Sequence, residues 1–297
     1  MKRHIGEWRS ERAERTFRAA DAARWAEATA TPPETLDVDT GFGSTRAYRW
    51  PGRGPDIVLL HGVGDTSFRW IPFAEALPEF NVFAIDIMGD VGDSKPELGY
   101  ETGDDLGVWL GQAIDALALA APHLAGMSLG GYVALSHAVQ GGAAGSLTLF
   151  DPVGLVELRM GRFIRWGAAT ALAAVAPGPI RRSAGRRLRQ PMLDDRADVR
   201  AYLKGSVGHP MALPPLPVFT DEQLATISAP VRVVAGAQSP PFDGEALVGR
   251  VTASIRRGHA RLLPDAGHTP ALTHHDICLA ELRSAIAGDT PEREPSR

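Results

Sequence analysis

The sequence predicts an α/β fold in which helices cover both faces of a mostly parallel sheet and a helical cap interrupts the core. Two observations predict the fold: short apolar runs alternate with helix-like segments after residue 35, and residues 154–228 break that alternation. A third observation, the net charge, limits the classes of partner that can be expected. The 297 residues carry a net charge of only −4, which indicates neither a nucleic-acid partner nor an anionic membrane.

Residues 1–34 predict an N-terminal helical extension that is charged and contains only scattered apolar residues. No apolar stretch in it has the length of a signal peptide. The sequence leaves two roles open for this helix, packing on the core or contact within a homodimer. The chain has one cysteine, Cys278, so no intrachain disulfide is expected, which fits a cytoplasmic protein.

The core is predicted over residues 35–153 and 229–288. A hairpin, "TLDVDTGFGSTRAYRW", comes first because its strands alternate around two glycines. Short apolar runs typical of buried parallel strands follow, each separated from the next by helix-like sequence: "DIVLLHG", "NVFAIDI", "HLAGMS", "SLTLFDP", "VRVVAGA" and "ARLLPDAGH". Residues 289–297 are polar and are expected to form a disordered tail.

Residues 154–228 are rich in Ala, Arg and Pro and predict a mostly helical cap above the strand ends. The stretch "RWGAATALAAVAPGPI" is apolar but too short to span a bilayer, so we expect a buried lid helix and no integral membrane span. A lid that faces a membrane is the alternative. The arginines of the cap are interpreted as a solvated helix face.

A nucleophile is predicted at Ser128, in the stretch "HLAGMSLGGYVALSHA". The motif Gly126-Met127-Ser128-Leu129-Gly130 joins a strand-like run to a helix-like run, as a nucleophile elbow requires. An ordinary glycine-rich turn is the alternative. The glycines permit close packing while the serine adopts a strained backbone, and the helix that follows directs its N-terminal amides at developing negative charge.

A serine hydroxyl needs a base, and His268 follows the last predicted strand, late in the chain. Two backbone N–H groups are expected to form an oxyanion hole, those of Leu129 and Val63. His61 is expected to brace the loop that contains Val63. No spacing typical of a metal site occurs, so no metal is expected.

The chain resembles the α/β-hydrolases. The resemblance rests on "LLHGVGDTS", "DIMGDVGDSKP", "GMSLGG" and "DAGHTP", which occur in this order. It implies an eight-stranded sheet, a variable cap, and a Ser-His-acid triad that needs no cofactor. The loop from Asp86 to Ser94 is one residue longer than the usual Asp-x-x-Gly-x-Gly-x-Ser.

The position of the triad acid differs from the family pattern. The resemblance implies an aspartate in a Gly-x-x-Asp turn after the penultimate strand, but that turn ends in Ser239. Two aspartates are candidates. Asp151 directly follows the strand "SLTLF", and Asp243 lies four residues beyond Ser239, where it also suits a helix N-cap. We favour Asp151 and retain Asp243 as the alternative.

These residues predict a serine hydrolase that cleaves a carboxylic ester, or a related acyl bond, of a small and partly apolar substrate. Alternatives are a non-catalytic small-molecule receptor or scaffold, motivated by Ser239, and a perhydrolase or carbon–carbon bond hydrolase. The fold hosts all of these activities.

Overall fold

The structure is a computed structural model that describes residues 6–29, 32–194, 199, 204–205, 208–209 and 212–289. Nine strands form one sheet in this part of the chain. They are β1 (Glu34–Thr40), β2 (Gly43–Trp50), β3 (Asp56–Leu60), β4 (Asn81–Ile85), β5 (Lys95–Pro96), β6 (His123–Met127), β7 (Ser146–Phe150), β8 (Val231–Gly236) and β9 (Gly258–Leu263).

Eight strands form the continuous path β1-β2-β4-β3-β6-β7-β8-β9. The hairpin β1–β2 and its contact with β4 are antiparallel, and every later pairing along this path is parallel. The predicted mostly parallel sheet is therefore confirmed. The two-residue strand β5 pairs antiparallel with β2 and was not predicted.

The helices are α1 (Glu11–Ala28), α2 (Ile71–Glu75), α3 (Asp104–Ala116), α4 (Leu129–Val139), α5 (Met160–Ala174), α6 (Gly178–Leu188), α7 (Asp221–Ala225), α8 (Gly244–Ser254), α9 (Pro270–Thr273) and α10 (His275–Ala287). Short 3₁₀ turns at Ser67–Trp70 and Pro191–Leu193 precede α2 and follow α6.

Apolar side chains pack on both faces of the sheet, as the continuous apolar strands predict. One cluster joins strand residues such as Leu60 and Leu149 to α3, α4 and α8, through Trp109 and Leu247 among others. The other cluster packs α2 and α10 on the opposite face, with Phe73 and Leu282 buried there. Because these strands are parallel, they all end at the same edge of the sheet, where the loops that follow them meet.

The N-terminal helix α1 packs on the core. Phe17 is buried, and the Trp25 ring stacks on Tyr48 with centroids 4.7 Å apart. Buried Arg24 donates to Asp21 at 2.6 Å and to the Thr66 hydroxyl at 2.9 Å. Of the two roles left open by the sequence, the structure supports packing on the core.

The cap stretch "RWGAATALAAVAPGPI" forms most of α5 and the start of α6. The expectation of a buried lid helix is wrong for most of it, since Leu172 and Val175 are exposed. Across the described residues, no helix combines the length and apolarity needed to cross a bilayer. Residues 290–297, within the expected disordered tail, lie outside the described residues.

Candidate active site

Ser128 occupies the tight turn between β6 and α4. Its backbone has φ 53° and ψ −110°, a strained conformation for a residue with a side chain. The flanking glycines are required by close packing: a Cβ at Gly126 would lie 2.4 Å from the Gly130 carbonyl oxygen, and one at Gly130 would lie 2.1 Å from the Leu60 carbonyl oxygen. The strained serine is thus held between two tightly packed elements.

Three predicted side chains form one hydrogen-bonded series. The Ser128 Oγ lies 3.0 Å from His268 Nε2, and His268 Nδ1 lies 2.6 Å from Asp151 Oδ2. Because a carboxylate only accepts, Nδ1 donates to Asp151 and Nε2 is free to accept the serine proton. His268 is supplied by the loop after β9 and Asp151 by the end of β7, so three strand ends meet here.

Asp151 is fully buried and has two further donors. The Ser239 hydroxyl donates to its Oδ2 at 2.5 Å, and the Gly236 backbone N–H donates to its Oδ1 at 3.1 Å. The backbone φ of Asp151 is 48°, in the left-handed region. The site therefore holds a buried Asp151 side chain that accepts hydrogen bonds from His268, Ser239 and Gly236.

Asp243, the alternative candidate, has a different set of partners. It caps α8 by accepting from the Ala246 N–H at 3.2 Å, and it forms an ion pair with Arg159. No hydrogen bond joins Asp243 to His268 in the described residues. The structure therefore brings Asp151, and not Asp243, to the histidine.

The loop after β3 lies beside Ser128. A Cβ on Gly62 would lie 3.6 Å from the Ser128 Cβ, so this backbone is in van der Waals reach of the serine. His61 braces the loop as expected: Ile87 N–H donates to its Nε2 at 2.9 Å, which leaves Nδ1 to donate to the Gly62 carbonyl at 2.8 Å. In the described residues, the N–H groups of Val63 and Leu129 have no hydrogen-bond partner.

Asp90 fixes the same loop from a second side and was missed by sequence reasoning. Its Oδ2 accepts from the Gly64 N–H at 2.9 Å and its Oδ1 from the Val91 N–H at 2.8 Å. Burial raises the pKa of this carboxyl to about 6, against an ordinary value of 3.8. Asp90 lies inside the loop that is one residue longer than usual, and that length was the only signal for it.

Aromatic rings surround the imidazole. The rings of Phe242, Trp166 and Phe163 lie edge-on to His268, with centroid distances of 5.6, 6.1 and 6.2 Å. Phe163 and Trp166 come from α5 of the cap. They line a cavity of about 70 Å³ that also reaches Ser128. Its other lining side chains are apolar and polar in equal number: Val63, Met127, Met192 and Leu272 on one hand, and Asp65, Gln190, His268 and Thr269 on the other. Apolar rings therefore flank the imidazole, while polar side chains form part of the remaining wall.

Two polar side chains in this cavity were not predicted. The Oε1 of Gln190 and the Oγ1 of Thr269 are buried, and neither has a hydrogen-bond partner in the described part of the chain. Buried polar atoms are usually paired, so these two unpaired atoms are unusual features of the cavity wall. Within the described ranges, no three His, Cys, Asp or Glu side chains are grouped closely enough to hold a metal ion.

Comparison with known proteins agrees with this architecture. The model of the Alpha/beta hydrolase family matches residues 57–281, which include β3 except for its first residue and all the later strands. Among curated proteins, carboxylesterase YbfK of Bacillus subtilis is 26% identical over 283 residues, which cover 86% of this chain and 88% of that protein.

Two crystal structures from Bacillus subtilis share the fold. The carboxylesterase CesB (YbfK) superposes with a TM-score of 0.76 at 22% identity, covering 93% of this chain and 99% of that one. The naproxen esterase (carboxylesterase NP) gives a TM-score of 0.78 at 21% identity, with coverage of 92% and 98%. At these identities the likeness concerns the fold alone.

Proposed function

The chain belongs to the alpha/beta hydrolase family, and from this premise we propose that it is a serine carboxylesterase. The observation that carries the proposal is the series Ser128–His268–Asp151, with contacts of 3.0 and 2.6 Å. A nucleophile, a base and an orienting acid at these separations are what acyl transfer through a serine requires. The similarity to a curated carboxylesterase supports the same reaction.

In the proposed first half-reaction, the Ser128 Oγ attacks the ester carbonyl carbon and His268 Nε2 takes the hydroxyl proton. The carbonyl electron pair moves onto oxygen, and the N–H groups of Leu129 and Val63 stabilise that oxyanion. When the carbon–oxygen bond to the leaving group breaks, His268 returns the proton to the departing alcohol. Asp151 stabilises the transient imidazolium throughout.

In the second half-reaction, a water molecule attacks the acyl-enzyme. His268 removes a proton from the water, and the same two N–H groups stabilise the oxyanion of the second tetrahedral intermediate. The bond between the acyl carbon and the Ser128 Oγ then breaks, and the Oγ takes the proton from His268. No cofactor takes part in any step. The products of this half-reaction are the carboxylic acid and the regenerated Ser128.

The cavity lining suggests the substrate. Phe163, Trp166 and Met192 present apolar surface, which favours an uncharged and partly apolar acyl group. The unpaired Gln190 Oε1 and Thr269 Oγ1 favour a substrate that also carries a hydroxyl or amide hydrogen-bonding group. We therefore propose small esters that combine an apolar body with one polar substituent.

The test is hydrolysis of p-nitrophenyl acetate and butyrate by the wild type and by single variants. We expect Ser128→Ala to abolish activity and Asp151→Asn to lower kcat by about 10²–10⁴, because the histidine loses its orienting charge. Asp243→Asn is the matched control and keeps nearly full activity. If Ser128→Ala retains wild-type rates, or fails to abolish labelling by a fluorophosphonate, the serine mechanism is wrong.

A further inference from the structure

The cap helices carry a local charge that the whole-chain value conceals. Residues 158–193 contain eight arginines and no Lys, Asp or Glu, although the complete chain has a net charge of −4. The rest of the protein is therefore strongly acidic. The expectation that no anionic membrane binds was drawn from the average, and an average does not describe this surface.

The same region collects the exposed apolar side chains. In the described part of the chain seven large apolar residues are exposed, and five of them belong to α5, α6 and the turn between them: Met160, Ile164, Leu172, Val175 and Ile180. Their exposed fractions run from 54% to 74%. Scattered single apolar residues are normal on a surface, but a cluster of this kind marks an interaction site.

Helix α5 is apolar on two opposite sides. Phe163, Trp166 and Ala173 recur at helical spacing on the side that packs toward the core and the catalytic cavity. Ile164 and Leu172 lie on the outer side, where their exposure is 61% and 74%. From residue 166 onward this outer side carries no charged residue, and a cluster of exposed apolar side chains indicates that it lacks a covering partner.

Charge and apolarity are separated along this hairpin of helices. Residues 166–180, which form its tip, contain no charged side chain. Arginines flank the tip on both sides, and five of them are exposed without an ion pair in the described residues: Arg162, Arg165, Arg182, Arg186 and Arg187. An uncharged tip with cationic flanks fits a surface that is apolar inside and anionic outside.

We propose that the α5–α6 hairpin docks on an anionic phospholipid bilayer. Leu172, Val175 and Ile180 enter the interface, and the flanking guanidinium groups bind lipid phosphates. Arginine suits this role because its fork pairs with phosphate oxygens while its stem contacts apolar surface. An acidic protein would satisfy the arginines but offers no fluid apolar phase for the uncharged tip.

Docking in this orientation also concerns the catalytic cavity. Phe163 and Trp166, on the inner side of α5, line the cavity that contains Ser128. A bound hairpin therefore holds that cavity close to the lipid surface, where apolar esters accumulate. The binding itself requires no catalytic group, so this inference stands independently of the proposed serine mechanism.

The test is flotation of the full chain with vesicles of phosphatidylcholine alone and with vesicles of phosphatidylcholine and phosphatidylglycerol in equal amounts. We expect binding to the anionic vesicles only, weakened by salt. Removing four charges (Arg162→Gln, Arg165→Gln, Arg186→Gln and Arg187→Gln) is expected to weaken binding about a hundredfold or more. Removing the apolar tip (Leu172→Ser, Val175→Ser and Ile180→Ser) is expected to weaken it by about the same factor.

The controls separate this surface from the rest of the protein. Val108→Ser removes an exposed apolar residue outside the cap, and the pair Arg53→Gln and Arg256→Gln removes exposed charges elsewhere. Both are expected to bind like the wild type, as is Ser128→Ala. The proposal is overturned if the wild type floats with neither vesicle, or if the controls weaken binding as much as the cap variants. It is equally overturned if the wild type forms a dimer in solution through this surface and Leu172→Ser dissociates that dimer.

Discussion

The Ser239 hydroxyl donates a hydrogen bond to Asp151 Oδ2 at 2.5 Å. The two residues follow neighbouring parallel strands, β7 and β8, whose last paired residues are Phe150 and Val234. The position where the family usually carries its acid therefore contacts the carboxylate that lies on the preceding strand end. Ser239, which motivated the hypothesis of a non-catalytic receptor or scaffold, is interpreted under our proposal as a hydrogen-bond partner of the acid Asp151.

The first prediction concerns this hydrogen bond. Ser239→Ala removes a donor to a buried carboxylate, a contact that contributes about 1.5–3 kcal/mol when one partner is charged. We expect kcat for p-nitrophenyl butyrate to fall about ten- to a hundredfold, while KM changes little because no substrate contact is lost. Ser239→Thr keeps the hydroxyl and is expected to retain most of the activity. Equal rates for Ser239→Ala and the wild type would show that the contact does not support the acid.

The second prediction moves the acid to the position that is usual in the family. Asp151→Asn is expected to be nearly inactive, and adding Ser239→Asp is expected to recover about tenfold or more, because the new carboxylate starts from a residue already in contact with position 151. Ser239→Asp alone places two carboxylates together and is expected to lower activity, since one must take up a proton. Steady-state kinetics of all four proteins measures the recovery. A double variant no more active than Asp151→Asn would contradict the prediction.

Much of the fold followed from the sequence because apolar periodicity is a local signal. The buried runs before Ser128 and Asp151 became β6 and β7, and "GEALVGRVTAS" became α8. Position 151 was inferred from topology, since neighbouring strand ends meet at one edge. The structure brings Asp151 within 2.6 Å of His268, as that inference requires.

The contacts of Asp90, Gln190 and Ser239 were not predictable because each depends on loops that are distant in sequence. Asp90 binds the Gly64 N–H across the ends of β3 and β4, and the Gln190 side chain enters the cavity from the cap. The exposed outer side of α5 was also misjudged. Its apolar sequence indicates burial, and only the position of neighbouring elements reveals that one side stays uncovered.

The third prediction is a pH dependence of stability that arises from Asp90. Burial raises its pKa from 3.8 to about 6, so the folded chain holds this proton more tightly than the unfolded chain does. The resulting stabilisation is complete below pH 3.8 and is lost as the pH rises to about 6. The change corresponds to about 3 kcal/mol. In Asp90→Asn this component is absent.

Guanidinium chloride unfolding of the wild type and Asp90→Asn between pH 4 and pH 7 measures the effect. The free energy of unfolding of the wild type, relative to that of the variant, is expected to decrease across this range. The hydrogen bond that asparagine cannot accept contributes a constant difference and not a slope. A difference that stays constant with pH would contradict the assigned shift.

The fourth prediction concerns Gln190, whose buried Oε1 lacks a partner in the described residues. An acyl group with a hydroxyl that reaches this oxygen gains a hydrogen bond without new desolvation of the protein, so p-nitrophenyl 3-hydroxybutyrate should be preferred over the butyrate. Gln190→Leu is expected to lower kcat/KM for the hydroxy ester about ten- to a hundredfold and to leave the butyrate nearly unchanged. The variant is also expected to be at least as resistant to thermal unfolding as the wild type, because an unpaired buried polar atom is removed. An equal loss for both esters would mean that Gln190 only shapes the cavity wall, and the preference for a polar substituent would be wrong.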